Sequence, residues 1–467
     1  MRWYDAISAA KHRHVFGGLH SLPRASTLVA SLALLMTPTA WAAPGDLDPS
    51  FGPGGHTSVQ VNKACLRGCV EFGGSYGDAL ALQPDGGIVL GGYNNYFGAG
   101  SDAEKAPGAL VRLRPDGTLD TSFGGSGGIV DTPFKVDAIA ANARGGLRVA
   151  GEVGRKTGVQ RYTSSGVLDG FYGDHGVRWL ARSVEGRRDA AGRTLQLVTV
   201  VVPATDYDPQ TTRLDVTRFL PSGKRDTRFG RRGYAALPNS TGATPGGVAP
   251  QRDGSMIVTF TSENHAAFPK DTSRVFLERL TSGGKLDRSF GKRGIVRTSL
   301  TGSVNNATIF PVSDGHFLLI GAERRGAGVL GGDRYLAVAS YTRNGHLDRR
   351  FGRGGIARSE VATGDRYLGV SATALTFDFS GDMIVVGRLG IRTVDTPAGD
   401  GFVARYTPRG RDCSFGVGGI VVDTRFGAAN AVAVQPDGRI VVAGWGGGFA
   451  AARYMGGGRP RTCPGEG

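Results

Sequence analysis

Short apolar runs alternate with turn signals along almost the whole chain. The run 79–82 ends in Gln83-Pro84-Asp85-Gly86, and Ile88-Val89-Leu90 then stops at Gly91. A third run at 109–113 ends in Arg114-Pro115-Asp116-Gly117, and Gly128-Ile129-Val130 closes the unit. The last stretch repeats the plan, with runs at 431–434, 440–443 and 450–454 and the turn Gln435-Pro436-Asp437-Gly438. Runs this short, β-branched and bounded by Pro and Gly, predict strands in four-stranded units. Pro presets φ for a turn, and Asp-Gly supplies the turn's hydrogen bond and its left-handed position.

Between the third and fourth runs a second pattern recurs, Leu-Asp-x-x-Phe-Gly-x-Gly-Gly. Its copies are LDPSFGPGG (47–55), LDTSFGGSGG (119–128), LDGFYGDHG (168–176), KRDTRFGRRG (224–233), LDRSFGKRG (286–294), LDRRFGRGG (347–355) and RDCSFGVGG (411–419). The aromatic falls at Phe51, Phe123, Tyr172, Phe229, Phe290, Phe351 and Phe415, at spacings of 72, 49, 57, 61, 61 and 64 residues. One such unit cannot bury its own apolar faces, so units must stack or close into a ring. The expected fold is all-β: a seven-bladed β-propeller of four-stranded blades. The first copy, with the run 57–59, has no inner strands before it, and the last inner strands have no copy after them. The simplest solution is a ring closed by the N-terminal strand joining the C-terminal blade, which removes two exposed sheet edges.

The third run carries Arg112, Arg161, Arg218, Arg279, Arg405 and Arg453, with Ser340 as the exception. The motif Asp follows eight residues later at Asp120, Asp169, Asp226 and Asp287, and seven later at Asp412. These spacings predict a partly buried Arg–Asp pair in most blades, with Arg453 reaching Asp48 across the closure. The alternative is that each Asp only caps its turn and each Arg is solvated. The structural set is thus Asp48, Phe51, Asp120, Phe123, Asp287, Phe290, Asp348, Phe351, Phe415 and Arg453.

The segments LDPSFG, AVAVQPDGRIVVAG and VARYTPRG resemble the bacterial delta-60 repeat, a β-propeller domain of unknown function. The resemblance covers nearly all of the chain beyond residue 42. It is specific in the first unit and the last two, and eroded in units three and four, where RTLQLVTVVV (193–202) replaces the turn-plus-strand pattern. It implies a repeat fold and frequent export, and brings no established active site. The hairpin around Gln435-Pro436-Asp437-Gly438 is also similar to NHL-type propeller repeats, by analogy alone.

The N-terminus changes the compartment. An uncharged apolar run at 28–36 follows Arg24 and precedes Ala40-Trp41-Ala42, which reads as a secretory signal peptide over residues 1–42, too short to span a bilayer. The expected organisation is this signal, a propeller over 43–457 and a C-terminal tail over 458–467, in a protein exported to the periplasm or beyond the cell. Cleavage takes away Arg2, Lys11, Arg13, Arg24 and Asp5, leaving +12 of the formal +15. No later segment is apolar enough to span a membrane. The four cysteines, Cys65, Cys69, Cys413 and Cys463, suit disulfides in an exported chain. Cys65 and Cys69 are placed to close a small loop, but three pairings are open.

Chemistry is sparse. The Gly-x-Ser-x-Gly match at 73–77 lacks a strand-to-helix setting and is a chance event in so Gly-rich a chain. No catalytic, cofactor or metal residues are assigned, and one carboxylate per blade beside an Arg is a poor cation cage. What varies among the motif copies is charge. The first two have no basic residue, whereas the fourth to sixth carry Arg228, Arg231, Arg232, Arg288, Lys292, Arg293, Arg349, Arg350 and Arg353. Consecutive blades would gather these into a basic arc. One reading is a non-catalytic binding or scaffold module for an acidic polysaccharide or other anionic envelope component. The rival is a hydrolase or lyase with its site at the central mouth, and export argues against nucleic acid. The bland alternative for the arc is a solvated rim.

Overall fold

A computed structural model describes residues 42–61, 75–94, 108–125, 127–153, 156–180, 187–189, 191, 193–202, 211–220, 224–262, 274–301, 307–312, 315–325, 333–362, 367–391 and 399–464. Residues 1–41 of the signal segment and the pair Cys65 and Cys69 lie outside the described residues, as does the opening of the 73–77 motif.

The strands are antiparallel throughout, and β1 (His56–Val59) comes first. Sheet I is β2 (Ser75–Leu82), β3 (Ile88–Asn94), β4 (Gly108–Leu113) and β5 (Ile129–Thr132). Sheet II is β6 (Lys135–Ala141), β7 (Leu147–Val153), β8 (Lys156–Tyr162) and β9 (Val177–Leu180). Sheet III is β10 (Arg187–Arg188), β11 (Thr194–Val202), β12 (Thr211–Phe219) and β13 (Tyr234–Ala236). Sheet IV is β14 (Thr244–Pro250), β15 (Met256–Ser262), β16 (Arg274–Leu280) and β17 (Ile295–Thr301). Sheet V is β18 (Thr308–Pro311), β19 (Phe317–Arg325), β20 (Asp333–Tyr341) and β21 (Ile356–Ala362). Sheet VI is β22 (Tyr367–Phe377), β23 (Met383–Ile391) and β24 (Asp400–Thr407), with β25 (Gly410–Arg411) and β26 (Ile420–Asp423) both on β24. Sheet VII is β27 (Ala428–Val434), β28 (Ile440–Trp445) and β29 (Phe449–Tyr454), and β1 completes it by pairing with β29. This all-β set of four-stranded antiparallel sheets is consistent with a β-propeller.

First strands of successive sheets lie side by side: β2 against β6 and β27, β22 against β27, β14 against β18. Each buried apolar cluster draws on two neighbouring sheets. Phe51, Ile88 and Val441 join VII to I, and Val89, Phe123 and Val149 join I to II. Comparable clusters join III to IV, IV to V, V to VI and VI to VII. Among the described residues no such cluster joins II to III.

The motif turns tie one sheet to the next. The amide of Gly52 donates to Asp116 of the following turn at 2.7 Å, and Gly230, Gly291 and Gly416 donate to Gly283, Asn344 and Pro44 at 2.8, 2.9 and 2.9 Å. The motif phenylalanine slides under the next turn. A Cβ at Gly117, φ +84°, would sit 2.9 Å from the Phe51 ring, so the turn needs glycine for both backbone and space. Over that ring lies the third-strand arginine: Arg453 over Phe51 at 4.7 Å, Arg218 over Phe229 at 4.4 Å, Arg405 over Phe415 at 5.1 Å. The same guanidinium meets the motif carboxylate. Arg453 Nε lies 2.8 Å from Asp48, Arg279 Nε 2.8 Å from Asp287 and Arg218 2.8 Å from Asp226, while Arg112 pairs with Asp120 and Arg405 with Asp412.

Two copies depart from this. Arg161 lies over Tyr172 at 4.2 Å, and that ring is only half-buried. At Ser340, the motif carboxylate Asp348 is held instead by Arg350, at 2.9 Å through two nitrogens. The tail is fastened too: Cys463 is disulfide-bonded to Cys413, and Arg461 N donates to Asp412 at 2.8 Å.

Burial opposes ionisation of Asp48, Asp287 and Asp412, but serine donors and the paired arginines outweigh it, and the carboxyls lie below their ordinary range. A lowered folded pKa gives stability that is complete above the unfolded value of about 3.9 and is lost as pH falls through the folded value. Urea midpoints should therefore drop steeply below about pH 4. Arg405→Ala should cost about 3–5 kcal/mol, because it strands a buried carboxylate. Arg161→Ala, at an exposed side chain, should stay within about 0.5 kcal/mol. Equal losses in the two variants would contradict this account of the fastener.

Candidate functional site

Antiparallel order divides the sheets into two faces. First-to-second and third-to-fourth connections leave on one side, here called the turn face, as does the 47–55 motif that precedes β1 in sheet VII. Second-to-third and sheet-to-sheet connections leave on the other, the loop face.

The basic residues singled out from the sequence all lie on the turn face. Arg228, Arg231 and Arg232 are in the β12–β13 connection, Arg288, Lys292 and Arg293 in β16–β17, and Arg349, Arg350 and Arg353 in β20–β21. All are exposed. Arg350 differs from the rest, since its guanidinium is engaged by Asp348. Arg232 and Arg293 hold left-handed backbone, at φ 56° and 59°. The corresponding residue is His175 in sheet II, itself at φ 49°, and glycine at Gly54, Gly354 and Gly418, all with positive φ. A non-glycine there carries strain of order 1 kcal/mol. Two successive repeats therefore keep a strained arginine on an exposed turn.

The loop face carries a cluster that local motif reading missed. The first strands bulge by one residue, at Asp78 in β2, Asp137 in β6, Thr373 in β22 and Asn430 in β27. A bulge frees one residue from the ladder and re-aims its side chain. These residues link neighbouring sheets: Asn430 Nδ2 donates to Asp78 at 3.0 Å, and Lys135 Nζ lies 3.0 Å from Asp78 and 4.0 Å from Asp137. Thr373 donates to the carbonyl of Ala429. Beside them Trp445, Tyr76 and Tyr93 stack in series, with centroids 5.9 and 5.3 Å apart, and Lys135 caps Tyr93 at 4.1 Å. Trp445 Nε1 is buried with no partner among the described residues.

Charge in this cluster is balanced unevenly. Burial raises the Asp78 carboxyl, although Lys135 offsets part of the rise. Burial also works against the Lys135 ammonium, but Asp78 outweighs it and holds the proton more firmly than usual. Asp137 is pushed up to about 6, by burial first and then by repulsion from Glu152 and Asp78. A signal for the cluster does exist in the sequence. A polar residue stands before Ala-x-Ala or Ala-x-Thr in Asp78-Ala79, Asp137-Ala138, Thr373-Ala374 and Asn430-Ala431. Among the described residues no group of three metal-ligating side chains comes together.

A family model described as "Domain of unknown function (DUF5122) beta-propeller" matches residues 83–123 and 435–459. The match is to a β-propeller domain of unknown function. No curated protein matches the chain. Among solved structures the chain is similar to BBS1N in complex with ARL6DN, at 12% identity over 91% of this chain and 99% of that one, with a TM-score of 0.36. It is similar to a protein of unknown function from Dyadobacter fermentans at 11% identity, over 72% of this chain and 95% of that one, with a TM-score of 0.34. Luciferin-regenerating enzyme follows at 10% identity, over 85% and 98%, with a TM-score of 0.31. At scores this low the likeness carries nothing about ligand or chemistry.

For Asp137 the folded state favours the protonated form, so its contribution is complete below about pH 4 and lost as pH rises through about 6. Asp137→Asn should abolish that loss. The variant should match the parent at pH 4 and exceed it at pH 7 by about 1 kcal/mol, a figure reduced for solvent screening. Parallel curves from pH 4 to 7, by urea unfolding, would contradict the assignment.

Proposed function

We propose that the chain is an exported, closed seven-bladed β-propeller of the delta-60 kind. On this reading it is a non-catalytic module that binds an anionic envelope component through the basic sector of sheets III to V. Seven sheets among the described residues, β1 on β29 and β2 against β27 support the ring. The observation that carries the binding role is the pair of strained, exposed arginines at Arg232 and Arg293. A solvated rim needs charge but has no need of arginine where glycine sits without strain.

Two measurements test this. Arg232→Gly and Arg293→Gly should each stabilise the fold by about 0.5–1 kcal/mol and lower retention on anionic glycan and lipopolysaccharide columns. Charge reversal at Arg231, Arg232 and Arg293 should cut retention about tenfold or more, with a salt dependence that weakens in step. Retention unchanged across this set would remove the basic-sector reading. For the ring, both described ends meet the same turn: Pro44 accepts from Gly416, and Cys463 is bonded to Cys413. A circular permutant joining 464 to 43, opened in a connection on the loop face, should therefore fold as a monomer.

The second reading, a hydrolase or lyase at the central mouth, is favoured by one observation, the carboxyl of Asp137 raised to about 6 beside Asp78. It requires turnover of some polymer that Asp137→Asn abolishes.

A further inference from the structure

The turn face also carries apolar side chains that packing does not explain. Phe171 is 102% exposed, Val417 86% and Phe379 70%. Phe171 lies in the β8–β9 connection of sheet II, with Val167 and Leu168 exposed beside it. Phe379 lies in the β22–β23 turn of sheet VI, and Val417 between β25 and β26 of the same sheet. Single exposed apolar residues are ordinary. These sit on one face, in the two sheets that flank the basic sector on either side.

Their positions in the repeat sharpen the point. Where sheet II has Phe171, other copies have Ser50, Ser122, Ser289 and Ser414. Those hydroxyls donate to the motif aspartate at 2.6–2.7 Å. Phe171 gives up that bond and places its ring in water. Phe379 stands where the related turns carry Pro84 and Pro436. Val417 occupies the place held by Arg231, Lys292 and Arg353 in sheets III, IV and V. The face thus reads apolar, basic, apolar from sheet II to sheet VI.

We propose that the turn face docks on an anionic lipid surface. The arginines and lysines of sheets III to V sit among the headgroups, and Phe171 and Phe379 enter the boundary with the acyl chains on either side. A headgroup layer pairs fixed negative charge with an apolar phase directly beneath it. A dissolved acidic polysaccharide offers the charge but nothing for the two rings, which is why lipid is favoured. This inference rests on the basic-sector reading and names its partner.

The test is co-sedimentation of the full chain with vesicles of phosphatidylcholine, alone or mixed with phosphatidylglycerol. Retention on an anionic glycan column is measured in parallel. The parent should sediment with the anionic vesicles and stay in solution with neutral ones. Phe171→Ser with Phe379→Ser should weaken vesicle binding about tenfold, leave glycan retention unchanged and not lower the urea midpoint. Arg231→Glu with Arg293→Glu should weaken both kinds of binding. Equal sedimentation of the parent and the double phenylalanine variant, or no vesicle binding with glycan retention intact, would overturn the lipid proposal while the basic-sector reading stands. Loss of neither kind of binding on charge reversal would overturn both.

Discussion

The contact on which the rest of the molecule depends is the arginine that lies between a carboxylate and a ring at the seams of sheets III, IV, VI and VII. A four-stranded sheet has two apolar faces and cannot bury either alone. Burial therefore requires that the next sheet arrive at a set distance and angle. The guanidinium of Arg453 sets both, since it bonds Asp48 at 2.8 Å, covers Phe51 at 4.7 Å and donates to the carbonyl of Pro115 in the next sheet. Arg218 and Arg279 do the same toward Ser282 and Arg343, at 2.5 and 2.6 Å. A planar cation with five donors can satisfy a carboxylate, a carbonyl and a π face at once, which lysine cannot. The fastener is polar in its bonds and apolar in what it positions.

Where this contact weakens, the surface changes character. In sheet II the ring is Tyr172, half-buried, and Arg161 is exposed. There the turn also carries Phe171 in place of serine. In sheet V the arginine is replaced by Ser340, and Arg350, a basic turn residue, moves in on Asp348 from outside. Such turns do not require the loss of the fastener, because sheets III, IV and VI keep Arg218–Asp226, Arg279–Asp287 and Arg405–Asp412 and still carry basic or apolar turn residues. Repetition fixes the scaffold, and at exposed turn positions side chains can depart from it while the backbone bonds to the neighbouring sheet stay intact.

The scaffold was legible because it is written many times. Each Arg is followed at seven or eight residues by Asp, and the β-hairpin turn between them returns the two to the same place. So Arg453 and Asp48, 405 residues apart, could be matched from their five counterparts. The first strand of sheet III was not legible, because β10 is reduced to Arg187–Arg188 and carries no apolar pattern. The loop-face cluster was missed for a different reason. Its members come from β2, β3, β6, β22, β27 and β28, and a bulge in β2, β6, β22 and β27 decides where the polar side chain points. Period-two alternation assigns Asp78 and Asp137 to a face by counting, and one extra residue breaks the count. Left-handed φ at Arg232 and Arg293 was likewise hidden, although the alignment with Gly54, Gly354 and Gly418 contains it.

The two faces answer to different constraints. On the loop face, side chains from first strands of neighbouring sheets converge, so any change at Asp78 is felt by Lys135, Asn430 and Tyr93 together. That coupling favours a fixed, preorganised constellation and limits how fast it can vary. On the turn face each connection is local, bonded to its own sheet and to one carbonyl of the next. Its residues can be exchanged one repeat at a time without disturbing the seam. A surface that must match an extended partner over several sheets is more readily assembled from such independent turns than from a shared core. The run of basic turns in sheets III to V, bordered by Phe171 and Phe379, has the form expected of a face built in that way.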